Sequence, residues 1–479
     1  MSETEAALLT LERSQAEALT GGTWIGPGGS VNLHGAAIDH RQVTPGCLFA
    51  CFVGAQVDGH DFAATAVGDG AALVLASKQV EVPVPVLVVD DVAQALAALA
   101  TEFRRRYQGA CWIAITGSNG KTTVKEMTAA ACAASGPTWS TPGNYNNHIG
   151  VPLTVLRTPP ECRFVVVEMG ASAPGEIAAL AAIVQPDIAG IVNIGPAHLD
   201  GFGNLEGVAR AKSELFRALG PDGTAIFCRH HLAEVCAQHD ERGEVILDVI
   251  RAAAGDRALR IIGDPGCPLD GVVDDHGVVL RTVVGEVSLR LVGAHNLANA
   301  AVAWHLAVAA GADARRALGG LAAMRPIRGR LQQRQLGEHL LLDDSYNANP
   351  GSMEAGLGVL ARYPGARLAV LGGMAELGSD SRRLHRGVGT CAARLGLPLM
   401  TVGRLARDIG VGYVAAGGRD HQQVADCAAA VAAIRERLAV GPTTLLIKAS
   451  RSAGLEGIGT ALEQSLAYTT VVDEEDSRC

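Results

Sequence analysis

The stretch IAITGSNGKTTVKEM, residues 113–127, decides the fold. It begins as an apolar, β-prone run that ends at Thr116, and glycines follow at Gly117 and Gly120. Lys121, Thr122 and Thr123 then open a segment of helical composition. A strand passing through a glycine turn into a helix is the repeating unit of an α/β sheet. Gly117, Ser118, Asn119 and Gly120 form a turn whose backbone N–H groups can approach phosphate oxygens, because glycine tolerates the tight conformation. The helix start adds the positive end of its dipole. Lys121 would reach the β- and γ-phosphates, and the Thr122 hydroxyl would take a place on Mg2+. Gly-Lys-Thr can also be an ordinary helix start, but strand, glycines, lysine and two threonines in this order favour a phosphate loop. The loop is short, with two residues between its glycines, where the common P-loop has four. That spacing counts against a standard GTPase or motor ATPase.

Outward from the loop, strand-like runs recur at 164–168 and 188–192, separated by helical patterns. This alternation predicts a doubly wound, mostly parallel sheet. Between 272 and 291 the pattern turns short and alternating, as in an antiparallel hairpin, and a helix over 296–310 closes the block. Upstream, short strands and turns lead to a buried strand at 71–75, the stretch VPVPVLVVDD (82–91) and a helix over 92–107. Downstream, strands at 340–342, 368–371, 399–402 and 444–447 alternate with Ala-rich helices, the outline of a dinucleotide fold. The expectation is an α/β chain of three domains: 1–108, a central P-loop ATPase-type domain over 109–323, and a dinucleotide-fold-like domain over 324–479. The polar tail VVDEEDSRC (471–479) is expected to fray.

Composition narrows the function. Hydrophobic residues make up 48% and charged residues 19% of 479, a well-packed globular balance. The formal net charge of −9 argues against a general binder of nucleic acid or anionic membrane. Arg104-Arg105-Arg106 reads as a solvated helix end. The N-terminal MSETEAALLTLERSQ has no signal-peptide pattern, and no apolar run reaches the ~18 residues of a membrane span. Eleven cysteines without paired spacing suit free thiols in a reducing cytoplasm. Cys228, His230, His231, Cys236 and His239 cluster in sequence, but their spacing fits no standard zinc template.

Only five of the 40 basic residues are lysine: Lys78, Lys121, Lys125, Lys212 and Lys448. Where arginine serves as the general surface cation, a retained lysine suggests a need for a compact ammonium or a neutral amine. Lys121, Lys212 and Lys448 each fall in a motif segment, whereas Lys78 and Lys125 read as remnants of composition. Glu168 ends one strand-like run and His198 follows the next, beyond the carboxyl ends where open α/β sheets bind ligands. Glu168 is a natural oxygen ligand for Mg2+. His198 on chemistry alone is as readily a loop-stabilising histidine.

The runs TPGNYNNHIGVPLT (141–154), VVVEMGASAPGEI (165–177) and NIGPAHLDGFGNLEGVARAKSELF (193–216) resemble the central domain of the Mur ligase family. The short phosphate loop is similar as well. GAHNLANAAVA (293–303), RPIRGRLQ (325–332), DDSYNANPGSMEA (343–355), LGGMAELGSDSRRLHRGVG (371–389) and LIKASRSAGLE (446–456) continue the resemblance in family order. The last two, with DDSYNANP, resemble the members that add D-alanyl-D-alanine; sisters adding diaminopimelate or lysine carry histidine in place of Tyr346. IDHRQVTPGCLF (38–49) and VDGHDF (57–62) resemble the uridine-binding domain.

The resemblance implies an ATP-dependent ligase that joins D-alanyl-D-alanine to UDP-N-acetylmuramoyl-tripeptide through an acyl phosphate, in the cytoplasm and as a monomer. It implies that Glu168 and His198 hold Mg2+, and that Lys212 is carbamylated and helps hold a second metal ion. It places Asn144, Asn146 and Asn147 near the phosphates and substrate, and His295, Asn296 and Arg330 near the nucleotide. Asp39, Arg41, Asp58, Gly59, His60 and Asp61 would bind the uridine end, and Asp344, Tyr346, Asn347 and Asn349 the rest of the substrate. Gly373, Ala449 and Val53 depart from the family pattern, in segments the resemblance assigns to the dipeptide and uridine sites. Two rival readings are a Mur-type ligase adding a single amino acid and a catalytically idle nucleotide-binding scaffold.

Overall fold

A computed structural model describes residues 9–476, apart from residue 55, residues 239–240 and residues 275–276. The chain forms two compact units, one of residues 1–194, 206–268 and 302–321, the other of residues 195–205, 269–301 and 322–479.

At the centre of the first unit lies a six-stranded sheet, and every neighbouring pair in it is parallel. The strand Cys111–Thr116 sits inside it, flanked by Phe164–Glu168 and Ile188–Ile191. Trp112, Ile113, Ala114 and Ile115 are fully buried, as expected of a parallel strand covered on both faces. The register decides what the sheet can present. Glu168 pairs with Ile115 and Ile191 with Thr116, so the carboxyl ends of all three strands finish level. The phosphate loop, Glu168 and the residues after Ile191 therefore leave the sheet along one edge.

The same unit carries a five-stranded sheet, parallel except where Thr23–Ile25 runs against Val86–Val88, and a two-stranded ribbon of Leu9–Glu12 with Ser30–Leu33. The helix Val92–Arg106 starts at Asp91, whose carboxylate accepts from the N–H groups of Ala93 and Gln94 at 2.8 and 3.0 Å. At its other end the expected solvated arginine cluster needs correction. Arg104 is buried; it donates to the carbonyls of Val184 and Gln185 and stacks over Trp112 at 4.8 Å. It thus caps the C-terminus of the helix Glu176–Val184, where a cation is favoured. Arg105 and Arg106 both pair with Glu102.

The second unit holds a six-stranded sheet in which Gln332–Leu336 runs antiparallel to His339–Asp344 and the remaining pairs are parallel. It also holds the alternating segment as a three-stranded antiparallel sheet, Asp270–Val273, Val278–Thr282 and Gly285–Leu289. The helix Glu456–Asp476 takes in most of the tail expected to fray, and residues 477–479 lie outside the described residues. No described helix is long and apolar enough to cross a membrane. The ten described cysteines are all free. Of the Cys/His cluster, Cys228 ends the strand Thr224–Cys228, His230 and His231 lie ring against ring, and His239 lies outside the described residues.

Candidate active site

In the first unit the phosphate loop is shaped by its neighbours. Gly117 has φ +156°, and a Cβ there would sit 3.0 Å from the Val192 Cβ. Gly120 has φ +77° and stands at the start of the helix Lys121–Ala133. Both glycines are therefore required by geometry rather than by flexibility alone. Asn193 pins the loop across the sheet edge. Its carbonyl and side-chain oxygen accept from the N–H groups of Ser118 and Asn119 at 3.2 and 2.9 Å, and its amide donates to the Asn119 carbonyl at 3.1 Å. The Lys121 ammonium lies over the loop, 2.9 Å from the Gly117 carbonyl.

Glu168 is buried, and its two carboxylate oxygens differ. Oε1 accepts from the Asn146 side-chain amide at 2.7 Å, whereas Oε2 is buried without a hydrogen-bond partner. A buried carboxylate oxygen left without a donor is costly unless a cation takes it. The residues present thus fit a bound divalent metal at this point. Among the described residues, no three His, Cys, Asp or Glu side chains gather into a ready-made metal cluster. Asn147 has a local task, its side-chain oxygen capping the helix Gly150–Leu156 through the N–H groups of Ile149 and Gly150. Lys212 is buried near the same edge, its ammonium 3.3 Å from the Ala171 carbonyl. Burial first, and the like charge of Lys121 second, bring it down to about 7 from the ordinary lysine value, against the pull of Glu176 and Glu214.

A further group of motif residues lies in the second unit. His198 adopts φ +52°, a left-handed conformation that is uncommon for any residue but glycine, and its ring meets Phe202 edge-on. Leu331 and Glu376 share that strain, each inside one of the motif segments. Asp344 and Lys448 occupy paired positions on adjacent strands and form a buried ion pair of 2.6 Å. The Lys448 ammonium also donates to the Asn347 carbonyl at 3.0 Å. Burial pulls its ionisation downward, and Asp344 opposes that pull. The guanidinium of Arg330 stacks over Tyr346 at 4.3 Å, with Arg451 at 5.7 Å from the same ring. Asn349 caps the helix Pro350–Arg362, and Asn296 is buried with its amide on the Val292 carbonyl. Because unpairing a buried charge is expensive, Lys448→Met is expected to lower the stability of this unit by about 3 kcal/mol. Urea denaturation of Lys448→Met, and of Lys448→Met with Asp344→Leu, measures it; the double variant is expected to recover most of the loss.

Comparison with known proteins now bears on this arrangement. The family description Mur ligase, catalytic domain, matches residues 32–104, the Mur ligase middle domain matches 115–307, and the glutamate ligase domain of Mur ligases matches 329–451. The chain belongs to the Mur ligase family. It is 38% identical over 450 residues to the UDP-N-acetylmuramoyl-tripeptide–D-alanyl-D-alanine ligase of Escherichia coli, covering 91% of this chain and 95% of that one. The crystal structure of MurF from Acinetobacter baumannii matches with a TM-score of 0.82 at 31% identity, over 96% of this chain and all of that one. MurF from Thermotoga maritima, solved in complex with ADP, matches at 0.73 and 25% identity, over 91% and 98% of the two chains.

In this Mur ligase the N-terminal motif residues build two different things. Asp58 accepts from the His60 N–H and ring, and from Lys78 at 2.9 Å, which holds its carboxyl well below the usual range. The His60 Nε2 in turn accepts from Ser77 N–H. Lys78 is thus a working partner of this knot rather than a remnant of composition. Gly59 is needed because a Cβ there would lie 2.8 Å from the backbone of Phe52. Asp39 instead pairs with the exposed Arg41, whose guanidinium brings it down to about 2. The departures from the family pattern also have physical partners. A Cβ at Gly373 would meet the Leu405 Cβ at 2.4 Å, so a leucine fills the space an aspartate would need. The Ala449 methyl lies 2.6 Å from where a Cβ at Gly372 would fall, so the glycine there leaves it room. Val53 is 71% exposed, and nothing in the structure explains it.

Proposed function

We propose that this chain is an ATP-dependent amide-bond ligase that joins D-alanyl-D-alanine to UDP-N-acetylmuramoyl-tripeptide, giving the UDP-linked pentapeptide of peptidoglycan synthesis. The observation that carries the reading is similarity along nearly the whole chain to UDP-N-acetylmuramoyl-tripeptide–D-alanyl-D-alanine ligases, with Lys121, Glu168 and Lys212 on one edge of a parallel sheet. Residues 1–108 serve the uridine nucleotide, 109–323 ATP and 324–479 the dipeptide. The ligase acts as a cytoplasmic monomer, without nucleic acid.

The tripeptide carboxylate attacks the γ-phosphorus of ATP and becomes an acyl phosphate as the bond to the bridging oxygen breaks and ADP leaves. The amine of D-alanyl-D-alanine attacks that carbonyl, and phosphate leaves as the amide forms. Phosphoryl transfer asks for positioning and charge neutralisation more than for covalent help. The helix start after Gly120 and the Lys121 ammonium meet the phosphates. Asn193 holds the loop in shape, a role the sequence did not suggest. Glu168, through Oε2, would hold Mg2+ together with His198, the Thr122 hydroxyl would take a place on the phosphate-bound Mg2+, and a carbamate on Lys212 would help hold a second metal ion. When bound, Mg2+ neutralises charge on the phosphate oxygens. Asn144 and Asn146 orient groups beside the carboxylate. Ser118, Asn119, Thr123, His295, Asn296 and Arg330 complete the nucleotide contacts, while Tyr346, Asn347 and Asn349 line the acceptor side.

The test is phosphate release from Mg-ATP with UDP-N-acetylmuramoyl-tripeptide, with and without D-alanyl-D-alanine. Release that needs both, with a pentapeptide product by mass, is the expected result. Release driven by a single amino acid would move the chain to a sister ligase, and none with any acceptor would leave a scaffold.

A further inference from the structure

We infer that Lys125 is a positioning residue that fixes the orientation of the carboxylate of Glu168. The inference rests on the proposed metal role of Glu168. Lys125 is fully buried one turn into the helix that follows the phosphate loop. Its ammonium donates to the carbonyls of Thr141 and Gly143 at 2.8 and 3.3 Å, and pairs with Glu126 at 2.6 Å. Three acceptors for three N–H donors leave this buried charge satisfied.

What the ammonium holds is the loop that carries Asn144 and Asn146. Thr141 is tied to the strand Phe164–Glu168 twice: its N–H donates to the Val166 carbonyl, and its hydroxyl accepts from the Glu168 N–H at 2.9 Å. From there the loop reaches Asn146, whose carbonyl accepts from Gly170 N–H and whose amide donates to Glu168 Oε1. A Cβ at Gly170 would lie 3.1 Å from that side chain, so the amide is confined against the backbone. The Asn146 bond occupies Oε1 and leaves Oε2 as the acceptor for a cation. Lys125 therefore connects the phosphate-loop helix to the loop that selects which oxygen of Glu168 is presented. An arginine could not substitute simply, because a planar fork needs more room than a compact ammonium at a fully buried site.

Partners that orient a metal ligand commonly contribute tenfold or more to metal affinity. The test is Mn2+ binding in the presence of ADP, read by electron paramagnetic resonance without turnover, with ADP affinity measured separately in the absence of metal. Lys125→Met is expected to weaken Mn2+ binding about tenfold or more, with metal-free ADP affinity within about twofold of wild type. Lys125→Arg is expected to recover part of the metal affinity. Unchanged Mn2+ affinity beside a lowered melting temperature would reduce Lys125 to a structural pin and overturn the inference. An equal loss of metal-free ADP binding would overturn it too, because the lysine would then serve the phosphate loop. If Lys125→Met does not fold, Lys125→Gln, which is too short to span the same carbonyls, takes its place with the same expected shift. If the wild-type chain with ADP binds no Mn2+, the metal reading of Glu168 fails and takes this inference with it.

Discussion

Lys121→Ala is expected to lower kcat about 10²- to 10³-fold, the common cost of removing one preorganised group that stabilises transition-state charge. The melting temperature is expected to stay within a few degrees of wild type. The reason lies in what the side chain touches: a half-buried ammonium resting on the Gly117 and Ser118 carbonyls, at 2.9 and 3.4 Å. The loop itself is held by Asn193 and by the conformations of Gly117 and Gly120, none of which needs the lysine. Lys121→Arg is expected to recover little, because a planar guanidinium does not place one charge where a compact ammonium does. Single-turnover phosphate release and thermal melting of the same preparations measure the two halves. Activity within about tenfold of wild type would sink the phosphate-loop assignment.

The phosphate loop was legible because everything that makes it is local: an apolar run, two glycines and a helix start lie within fifteen residues. Glu168 was legible for a related reason, as the polar end of an apolar strand. Asn193 was not. It opens the motif run 193–216, but nothing in that run points to the loop it holds, and the contact exists only because Ile191 and Thr116 are register partners in the folded sheet. The role of Lys125 is hidden for the same kind of reason. Its position four residues after Lys121 looks like one more basic residue on a helix, and the carbonyls it serves lie sixteen and eighteen residues away. Arg104 reads locally as a surface charge, since its acceptors at Val184 and Gln185 are some eighty residues on. Leu405 facing Gly373 is a contact that no local pattern encodes. The identity of each strand was local information, but the partners of buried polar groups follow from pairing and packing.

Lys212 carries the second large effect. Lys212→Ala is expected to lower kcat at least about 10²-fold, and Lys212→Arg to be as poor, since neither can become a carbamate. In that reaction the neutral amine attacks the carbon of CO2, the displaced π electrons settle on oxygen, and the nitrogen gives a proton to solvent. The site favours the reactive form, because burial and the like charge of Lys121 bring Lys212 to about 7. An ordinary lysine near 10.4 would be only about 0.1% neutral at pH 7.4, whereas this one would be mostly neutral. Because the pKa is lowered, the neutral amine is gained as pH rises through about 7 and lost below it. Carbamylation also reverses an electrostatic conflict: the cation repelled by Lys121 becomes an anion attracted to it. The Glu176 carboxylate accepts from the Ser172 N–H, and that of Glu214 from the N–H groups of Gly175 and Ala178, so they already have partners of their own. Wild-type activity is expected to fall when CO2 is stripped at pH 7 and to return with bicarbonate, while both variants ignore bicarbonate. Full activity of Lys212→Ala in CO2-free buffer would show that the amine contributes nothing to the reaction.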